Sequence, residues 1–311
     1  MRKMLLSILV WLAALTAVRA SEFAGAKVLS MGGGLVAGVP VENAAFLNPS
    51  GLADTTNFST SFSQAKILSD TLAFQIGTAI PLKAGKWGIG IGWGSLVARD
   101  QVQTELVRDA NGQLVVDPLT GLALTRLTGF FTRNDNQGIL SVGYRWGGLR
   151  LGLSGKYLLT QFGGLKGRGF GTDLGANVQW TKRVDWGLVF YDLGDTKLRF
   201  QDTDFNETYP STAQTTLLLK PAVGKDFSAC LAPGLGLPLK SRSAVRWNGG
   251  LEVGYRGSLF LRGGVNRDRS SFGVGLVAHP AKVFREVRVD YAFLGGTGTG
   301  PPSRLTIAVT W

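Results

Sequence analysis

The sequence predicts an all-β protein, a membrane-spanning antiparallel β-barrel of about 14 strands with an N-terminal hatch segment in its lumen. Three observations predict this fold: apolar residues alternate with polar residues or glycine, short gaps between these segments alternate with longer ones, and the tryptophans lie on the apolar side. Glycine supplies 44 of the 311 residues, and only 17% are charged. A disordered chain would carry more charge, and a collagen-like chain would space its glycines regularly.

Residues 1–20 are predicted to be an export signal. Arg2 and Lys3 form a basic start, residues 5–18 are an apolar run, and small residues lie at the positions that a signal peptidase reads. The predicted domains are therefore a signal peptide at 1–20, a hatch segment at 21–56 and a barrel at 57–311. The predicted location is the bacterial outer membrane.

The strands are predicted from alternation with a period of two. Between Trp87 and Gly94, one side of the segment carries tryptophan and isoleucine while the other carries only glycine. The same pattern recurs along the chain. The predicted strands are 57–66, 71–80, 87–97, 137–146, 149–160, 169–180, 183–191, 213–220, 222–231, 244–255, 258–266, 270–279, 285–294 and 303–311.

The gaps between these segments indicate how the barrel is oriented. Gaps after even-numbered strands are mostly tight, whereas several after odd-numbered strands are long: 98–136, 192–212 and 232–243. Outer-membrane barrels have short turns and both termini on the periplasmic side and longer loops outside. The longest loop contains Asn111-Gly112, which predicts a hairpin that projects beyond the bilayer.

The side of each strand that faces lipid is predicted from the cost of placing a charge in lipid. All tryptophans after the predicted signal fall on the apolar side, as expected for aromatic girdles at the membrane interfaces. A lysine or arginine on the lipid face costs about 2–4 kcal/mol at the midplane, so the charged side must face the lumen. There, ion pairs would satisfy the charges. The predicted lumenal polar network consists of Arg150, Lys156, Asp173, Arg246, Glu252, Arg262, Arg288 and Asp290.

The segment before the barrel does not alternate, and its informative part is Asn48-Pro49-Ser50-Gly51-Leu52-Ala53. Asparagine before proline, with glycine two positions later, is a strong turn signal. At these residues the sequence resembles the outer-membrane barrels related to the long-chain fatty-acid transporter FadL, in particular their PorV/PorQ branch, which carries Asn-Pro-Ala-Gly-Leu-Ala. Ser50 replaces the alanine. The C-terminal third resembles that branch as well, at 250–252, 261–264, 272–276, 289–293 and 305–311.

This resemblance implies a fourteen-stranded barrel with a hatch in its lumen. It also implies that Trp311, the last residue, is part of the signal read by the barrel-assembly machinery. The expected partners are outer-membrane lipid, lipopolysaccharide and that machinery. Without Arg2, Lys3 and Arg19 of the predicted signal, the formal net charge falls from +12 to 12 − 3 = +9, a surplus that favours anionic lipopolysaccharide but says little about specificity.

Two functions remain open. The first is a channel or transporter for hydrophobic or small amphiphilic compounds, with a pocket beside the hatch. Its candidate residues are Phe46, Leu47, Asn48, Pro49, Gly51 and Leu52. The alternative for these residues is a turn and hatch packing without a ligand. The second function, implied by the resemblance, is a component of type IX protein secretion that binds cargo proteins through its long loops.

An enzyme is not expected. His279 is the sole histidine, is followed by proline at a predicted turn, and has no partner for a catalytic triad. Asp173 and Asp185 could form a carboxylate pair, but ion pairs with neighbouring basic residues are the simpler interpretation. Cys230 alone forms no disulfide. We expect no cofactor, no metal and no nucleic-acid partner.

Overall fold

The computed structural model describes residues 23–68, 70–83, 85–201, 203–240, 244–280, 283–295 and 302–311. The predicted signal peptide lies outside the described residues. Among the residues that are described, no helix is long and apolar enough to cross a membrane.

In the described part of the chain, seventeen antiparallel strands form one continuous sheet. They are β1 Ser59–Leu68, β2 Thr71–Lys83, β3 Trp87–Leu106, β4 Thr125–Trp146, β5 Leu149–Phe162, β6 Leu165–Thr181, β7 Val184–Tyr191, β8 Thr196–Phe200, β9 Asn206–Tyr209, β10 Thr212–Leu219, β11 Phe227–Leu231, β12 Gly234–Pro238, β13 Arg246–Tyr255, β14 Leu259–Asn266, β15 Ser270–Ala278, β16 Glu286–Leu294 and β17 Ser303–Thr310.

The sheet closes because β1 pairs with both β2 and β17. β11 and β12 are two halves of one wall strand, since both pair with β10 and β13. Between these halves lies Pro233, which has no N–H to donate. Strands β8 and β9 form a hairpin attached to β6. The wall therefore has 14 strands, which confirms the predicted barrel.

The two ends of the barrel differ. We call the end that carries the β4–β5, β6–β7 and β13–β14 turns the turn end, and the opposite end the loop end. The first wall strand starts and the last wall strand finishes at the turn end. The prediction of three long loops at the loop end is wrong in part, because each predicted loop contains strand residues. β3 and β4 extend into 98–136, β8 and β9 lie within 192–212, and β12 lies within 232–243. The loop-end parts of β3 and β4 carry little apolar alternation, because strands beyond a bilayer need no lipid-facing side.

The predicted turn at Asn111-Gly112 is confirmed. Gly112 has a φ of +78°, and its N–H donates to the carbonyl of Asp109. One isolated bridge joins Arg108 to Leu114 beside this turn. The turn lies at the tip of an arm formed by the loop-end parts of β3 and β4.

The outer surface of the wall is apolar. Six of the tryptophans are exposed there: Trp87, Trp93, Trp146, Trp180, Trp247 and Trp311. Aromatic pairs concentrate at the turn end, where Trp87 contacts Tyr144, Trp180 stacks on Trp186, and Trp311 contacts both Phe58 and Phe284. Such a band of amphipathic rings matches the predicted girdle at a membrane interface.

Residues 23–58, which we call the lumenal segment, contain the short helices. They are α1 Ala26–Ser30, a 3-10 turn at Val41–Asn43, α2 Ala44–Leu47 and a second 3-10 turn at Pro49–Asp54. The main hydrophobic cluster combines this segment with inward-facing wall residues. A second apolar cluster lies at the loop end, formed by Phe162, Leu198, Phe200 and Tyr209.

Candidate functional site in the lumen

Glycines on the inner side of the wall make room for the lumenal segment. A Cβ at Gly94 would lie 2.5 Å from the Phe23 ring, and a Cβ at Gly90 would lie 2.9 Å from the Cβ of Ala45. A Cβ at Gly92 would clash with the Phe46 ring. The alternating glycines of β3 therefore form a smooth inner surface, which only a residue without a side chain provides at such close approach.

Asn48 ties the lumenal segment together. Its Oδ1 accepts hydrogen bonds from the Ser50 amide at 3.2 Å and the Ser50 hydroxyl at 2.7 Å. Its Nδ2 donates to the Val36 carbonyl at 2.8 Å, and it is fully buried. The side chain thus caps the turn that follows, as asparagine does before a helical turn. Ser50 replaces the alanine of the Asn-Pro-Ala-Gly-Leu-Ala pattern that the sequence resembles, and its hydroxyl is the donor of the 2.7 Å hydrogen bond to Asn48.

The other candidates from the sequence lie around this turn. Leu47 is buried, and its carbonyl accepts a hydrogen bond from the Tyr191 hydroxyl. The Leu52 side chain packs over Gly90. Pro49 lies against Gly152 of β5, and Gly51 lies where a Cβ would be 3.2 Å from Ala44 and Val39.

Only one of the six predicted pocket residues, Phe46, lines the lumenal cavity, a small space beside Lys156 and Asp173. Phe46 is 2% exposed, and its ring centroid lies 5.9 Å from that of Phe23. These two rings form one wall of the cavity. The structure therefore brings the six residues into one buried region, but it joins Phe46 with Phe23, which the sequence offered no reason to select.

One ionic group lies on β13, β14 and β16. Arg262 donates to Glu252 at 2.6 Å and to Asp290 at 2.6 Å, and Arg288 donates to Asp290 at 3.0 Å. The lumenal segment joins this group through two residues: Lys27 lies 3.3 Å from Glu252, and Glu42 pairs with Arg288.

A second ionic group lies near the turn end. Arg150 pairs with Asp185 at 3.0 Å and with Asp54 of the lumenal segment at 2.6 Å. Lys220 also pairs with Asp185, at 2.8 Å. Asp185 is therefore shared between two cations rather than with a second carboxylate, which is an arrangement for ion pairing and not for acid–base chemistry.

The third ionic group lies toward the loop end. Lys156 contacts Asp173 at 2.7 Å and Asp192 at 2.8 Å. Arg133 pairs with Asp135 at 2.8 Å and with Glu207 of β9 at 3.0 Å. Sequence analysis missed most of this group, because Asp192 lies between strands and the residues from 133 to 136 were assigned to a loop.

Arg246 does not join these groups. It is exposed at the start of β13, and among the described residues no ion pair or hydrogen bond links it to the seven others predicted with it. It shares their inward-facing parity, but it lies at the rim of the loop end, where water satisfies its charge.

A small cavity of about 20 Å³ lies between the lumenal segment and the third ionic group. It is lined by Phe23, Phe46, Asp135, Asn136, Gln137, Lys156, Leu158, Thr160, Asp173, Asp192 and Tyr209. A volume of this size holds about one water molecule.

Comparison with solved structures identifies the fold. The toluene transporter TbuX of Ralstonia pickettii has a TM-score of 0.57 and 14% identity, over 92% of this chain and 97% of that chain. The toluene transporter TodX of Pseudomonas putida gives 0.55 and 12%, over 92% and 96%. A FadL homologue of Pseudomonas aeruginosa gives 0.54 and 10%, over 93% and 98%.

No protein-family model matches the sequence, and the comparison with curated proteins finds no match. The structural likeness extends over 92–93% of the chain. At these low identities it shows the fold alone. The chain therefore has the 14-stranded barrel fold of the FadL-type outer-membrane channels.

Proposed function

We propose that this chain is an outer-membrane channel for hydrophobic or small amphiphilic compounds and has no enzymatic role. The observation that carries the proposal is a closed barrel with an apolar exterior, inside which an N-terminal segment packs its apolar side chains against the wall. The solved structures with this fold include channels described as toluene transporters. An apolar exterior with an aromatic girdle supports a location in the outer membrane.

The packing of the lumenal segment supports transport of apolar compounds over free diffusion of solutes. Phe23, Met31, Leu35, Phe46 and Leu52 are among the largest fully buried side chains. A small shift of this segment would expose an apolar path along glycine-lined strands.

A disulfide tether tests whether movement of the lumenal segment opens the path. We would replace Cys230 by Ala and introduce Ala45→Cys with Gly90→Cys, whose Cβ atoms lie close enough to be bridged after a small adjustment. In proteoliposomes, we expect toluene uptake by the reduced protein and a loss of about tenfold or more on oxidation, as expected when a gating motion is blocked. Sucrose should be excluded in both states.

The matched control is Thr60→Cys with Thr78→Cys. These residues face each other across β1 and β2, and their hydroxyl oxygens lie 3.0 Å apart, so this bond tethers wall to wall and leaves the lumenal segment free. Oxidation should not change toluene uptake in this variant. Equal uptake by both reduced proteins and by empty vesicles would contradict the proposed function.

A second candidate function is binding of a secreted protein, as in the PorV/PorQ-like components of type IX secretion. The observation that favours it is the arm, residues 99–133, whose strands run about 27 Å beyond their neighbours at about 3.4 Å per residue. Its exposed apolar side chains include Leu119 at 93%, Leu122 at 69% and Phe130 at 63%. Replacing residues 107–124 by a short Gly-Ser turn should abolish cargo release by cells while leaving toluene uptake unchanged, if this second function holds.

A further inference from the structure

The lumenal cavity lies in a region with more acidic than basic side chains. Asp135, Asp173 and Asp192 line it, and Lys156 is the basic residue among its lining residues. The nearest additional charges are Arg133 and Glu207, which pair with each other. Around the cavity, four carboxylates therefore face two cations, although the whole chain has a net charge of +12.

The ion pairs leave some of this negative charge unmatched. The Oδ1 atoms of Asp173 and Asp192 both approach the same Lys156 ammonium, at 2.7 and 2.8 Å. Among the described residues, the Oδ2 atom of each carboxylate accepts no hydrogen bond. Asp173 is 1% exposed and Lys156 is 6% exposed. Asp173 is thus paired and buried, whereas Asp192, whose side chain is 20% exposed, shares the same cation, so one carboxylate beside the cavity is available to a cationic group.

Gln137 provides an independent indication. Its side chain lines the cavity and is only 8% exposed, yet it has no hydrogen-bond partner in the part of the chain that the structure describes. Buried amides are nearly always hydrogen-bonded. The carbonyl and amino groups of Gln137 are not among the fully buried polar atoms, so they open onto the cavity and are available to a polar group of a ligand.

The apolar side of the cavity narrows the ligand class further. The rings of Phe23, Phe46 and Tyr209 line the cavity with Leu158. Aromatic faces attract organic ammonium groups, and they also accept an aromatic ring attached to such a group. A metal ion is a poorer occupant, since the described residues contain no cluster of three or more His, Cys, Asp or Glu side chains that could hold one.

We propose that this cavity binds the ammonium group of an aryl-alkyl amine, with Asp173 and Asp192 as the ionic partners, Gln137 as a hydrogen-bond acceptor and Phe23 and Phe46 as the apolar wall. This assignment rests on the proposed channel function and names a substrate class for it. An ammonium group is about the size of the water molecule that the cavity can hold, so the cavity takes the ammonium group, and the aryl-alkyl part enters only with the shift of the lumenal segment that the proposed channel function requires. A ligand of the same shape with a carboxylate in place of the ammonium group would be repelled by Asp173 and Asp192.

Binding measurements on the detergent-purified full chain test the proposal. The probes are 2-phenylethylamine, its neutral isostere propylbenzene and the anion 3-phenylpropanoate, each titrated by calorimetry at neutral pH. We expect the amine to bind about tenfold or more tightly than propylbenzene, which is the effect of one charge-assisted hydrogen bond. The anion should bind weakest. Equal affinities for the three probes, or no binding of the amine, would overturn the proposal.

Two variants locate the site. Asp192→Asn preserves the positive φ of +54° at this position, because asparagine adopts that conformation readily, and it should weaken amine binding about tenfold. Gln137→Leu leaves every ion pair intact and should weaken amine binding several-fold. Asp226→Asn, at an exposed ion pair on the turn end, is the matched control and should change nothing. Unchanged amine binding in folded Gln137→Leu and Asp192→Asn would contradict the assignment.

The toluene uptake assay separates the two ideas. If the reconstituted chain transports toluene but does not prefer the amine, the channel function stands and the amine site fails. If amine binding is specific but neither toluene nor the amine crosses the vesicle membrane, the site stands and the channel function fails.

Discussion

The two sides of this barrel differ in height. Strands β3 to β6 have 20, 22, 14 and 17 residues, whereas β13 to β17 have 10, 8, 9, 9 and 8. A tilted strand needs about 9–11 residues to cross a bilayer. The short side is therefore built to the thickness of a membrane, and the tall side projects into water. That projection supports the β8–β9 hairpin, the second apolar cluster and the arm.

The ionic groups on the two sides differ in the same way. On the short side, Arg262 and Arg288 with Lys27 are matched by Glu252, Asp290 and Glu42, with Glu286 at the turn end as a further weak contact at 3.6 Å. On the tall side, the third ionic group has two cations that face four carboxylates. A matched group fastens the lumenal segment to the wall. An unmatched group beside a cavity is suited to a ligand.

The largest expected effect tests the matched group. Arg262→Met leaves Glu252 and Asp290 buried without their shared cation, and removing one partner of a buried pair costs about 3–5 kcal/mol. Guanidinium titration in lipid vesicles measures the free energy of unfolding. Arg256→Met, at a pair whose side chains are both more than half exposed, should cost less than about 1 kcal/mol. Similar losses of unfolding free energy in the two variants would contradict the distinction between the buried matched group and an exposed ion pair.

A second prediction tests where the membrane lies on the tall side. Leu140→Arg places a charge on the outer surface at the middle of the wall and should cost about 2–4 kcal/mol in the same titration. Leu119→Arg, on the arm, should change the free energy of unfolding by no more than about 0.5 kcal/mol. A large loss for Leu119→Arg would mean that the arm is embedded rather than projecting.

A third prediction concerns the contact between wall and lumenal segment. A side chain at Gly152 would clash with the backbone at Pro49 and Ser50, and such overpacking costs about 1–3 kcal/mol. We expect Gly152→Val to loosen the segment and to speed trypsin cleavage after Lys27. Gly155→Val, where a Cβ meets only Phe170 at 3.6 Å, should leave the cleavage rate at the wild-type value. Equal protection of both variants from trypsin would show that the packing of the lumenal segment does not depend on the glycine-lined surface.

The smallest effect concerns the loop between β7 and β8. Hydrogen bonds from the Ser211 backbone, followed by Lys240 and the Ser211 hydroxyl, lower the pKa of Asp195 from 3.8 to about 2. Because the pKa in the folded state is depressed, this carboxylate stabilises the loop above its unfolded pKa, and the contribution disappears as pH falls through about 2. A carbon-detected NMR titration should place Asp195 near that value. In Ser211→Ala the pKa should rise only partly, because the backbone donor remains; an ordinary pKa in the unmutated protein would contradict these bonds.

Sequence reasoning succeeded where one physical constraint acts on many residues. Lipid forces every outward position of a wall strand to be apolar, so alternation around Trp87, Leu151 and Val253 was sufficient to find the 14 wall strands. It failed in the arm, where water surrounds both sides of the strands, and in the β8–β9 hairpin, whose apolar side chains Leu198, Phe200 and Tyr209 pack inward instead of facing lipid. It also failed to separate Arg246, since a rim position and a lumenal position have the same parity.

The sequence by itself determined the barrel, its strand number and the facing of its side chains, because hydrophobicity with a period of two is a local property of the chain. Only the tertiary structure decided what fills the lumen and which charges meet there. Lys27 pairs with Glu252, 225 positions away in the chain. Glu42 pairs with Arg288, 246 positions away, and Asp54 pairs with Arg150, 96 positions away. Such pairings depend on closure of the sheet, which brings distant strands together around one enclosed space.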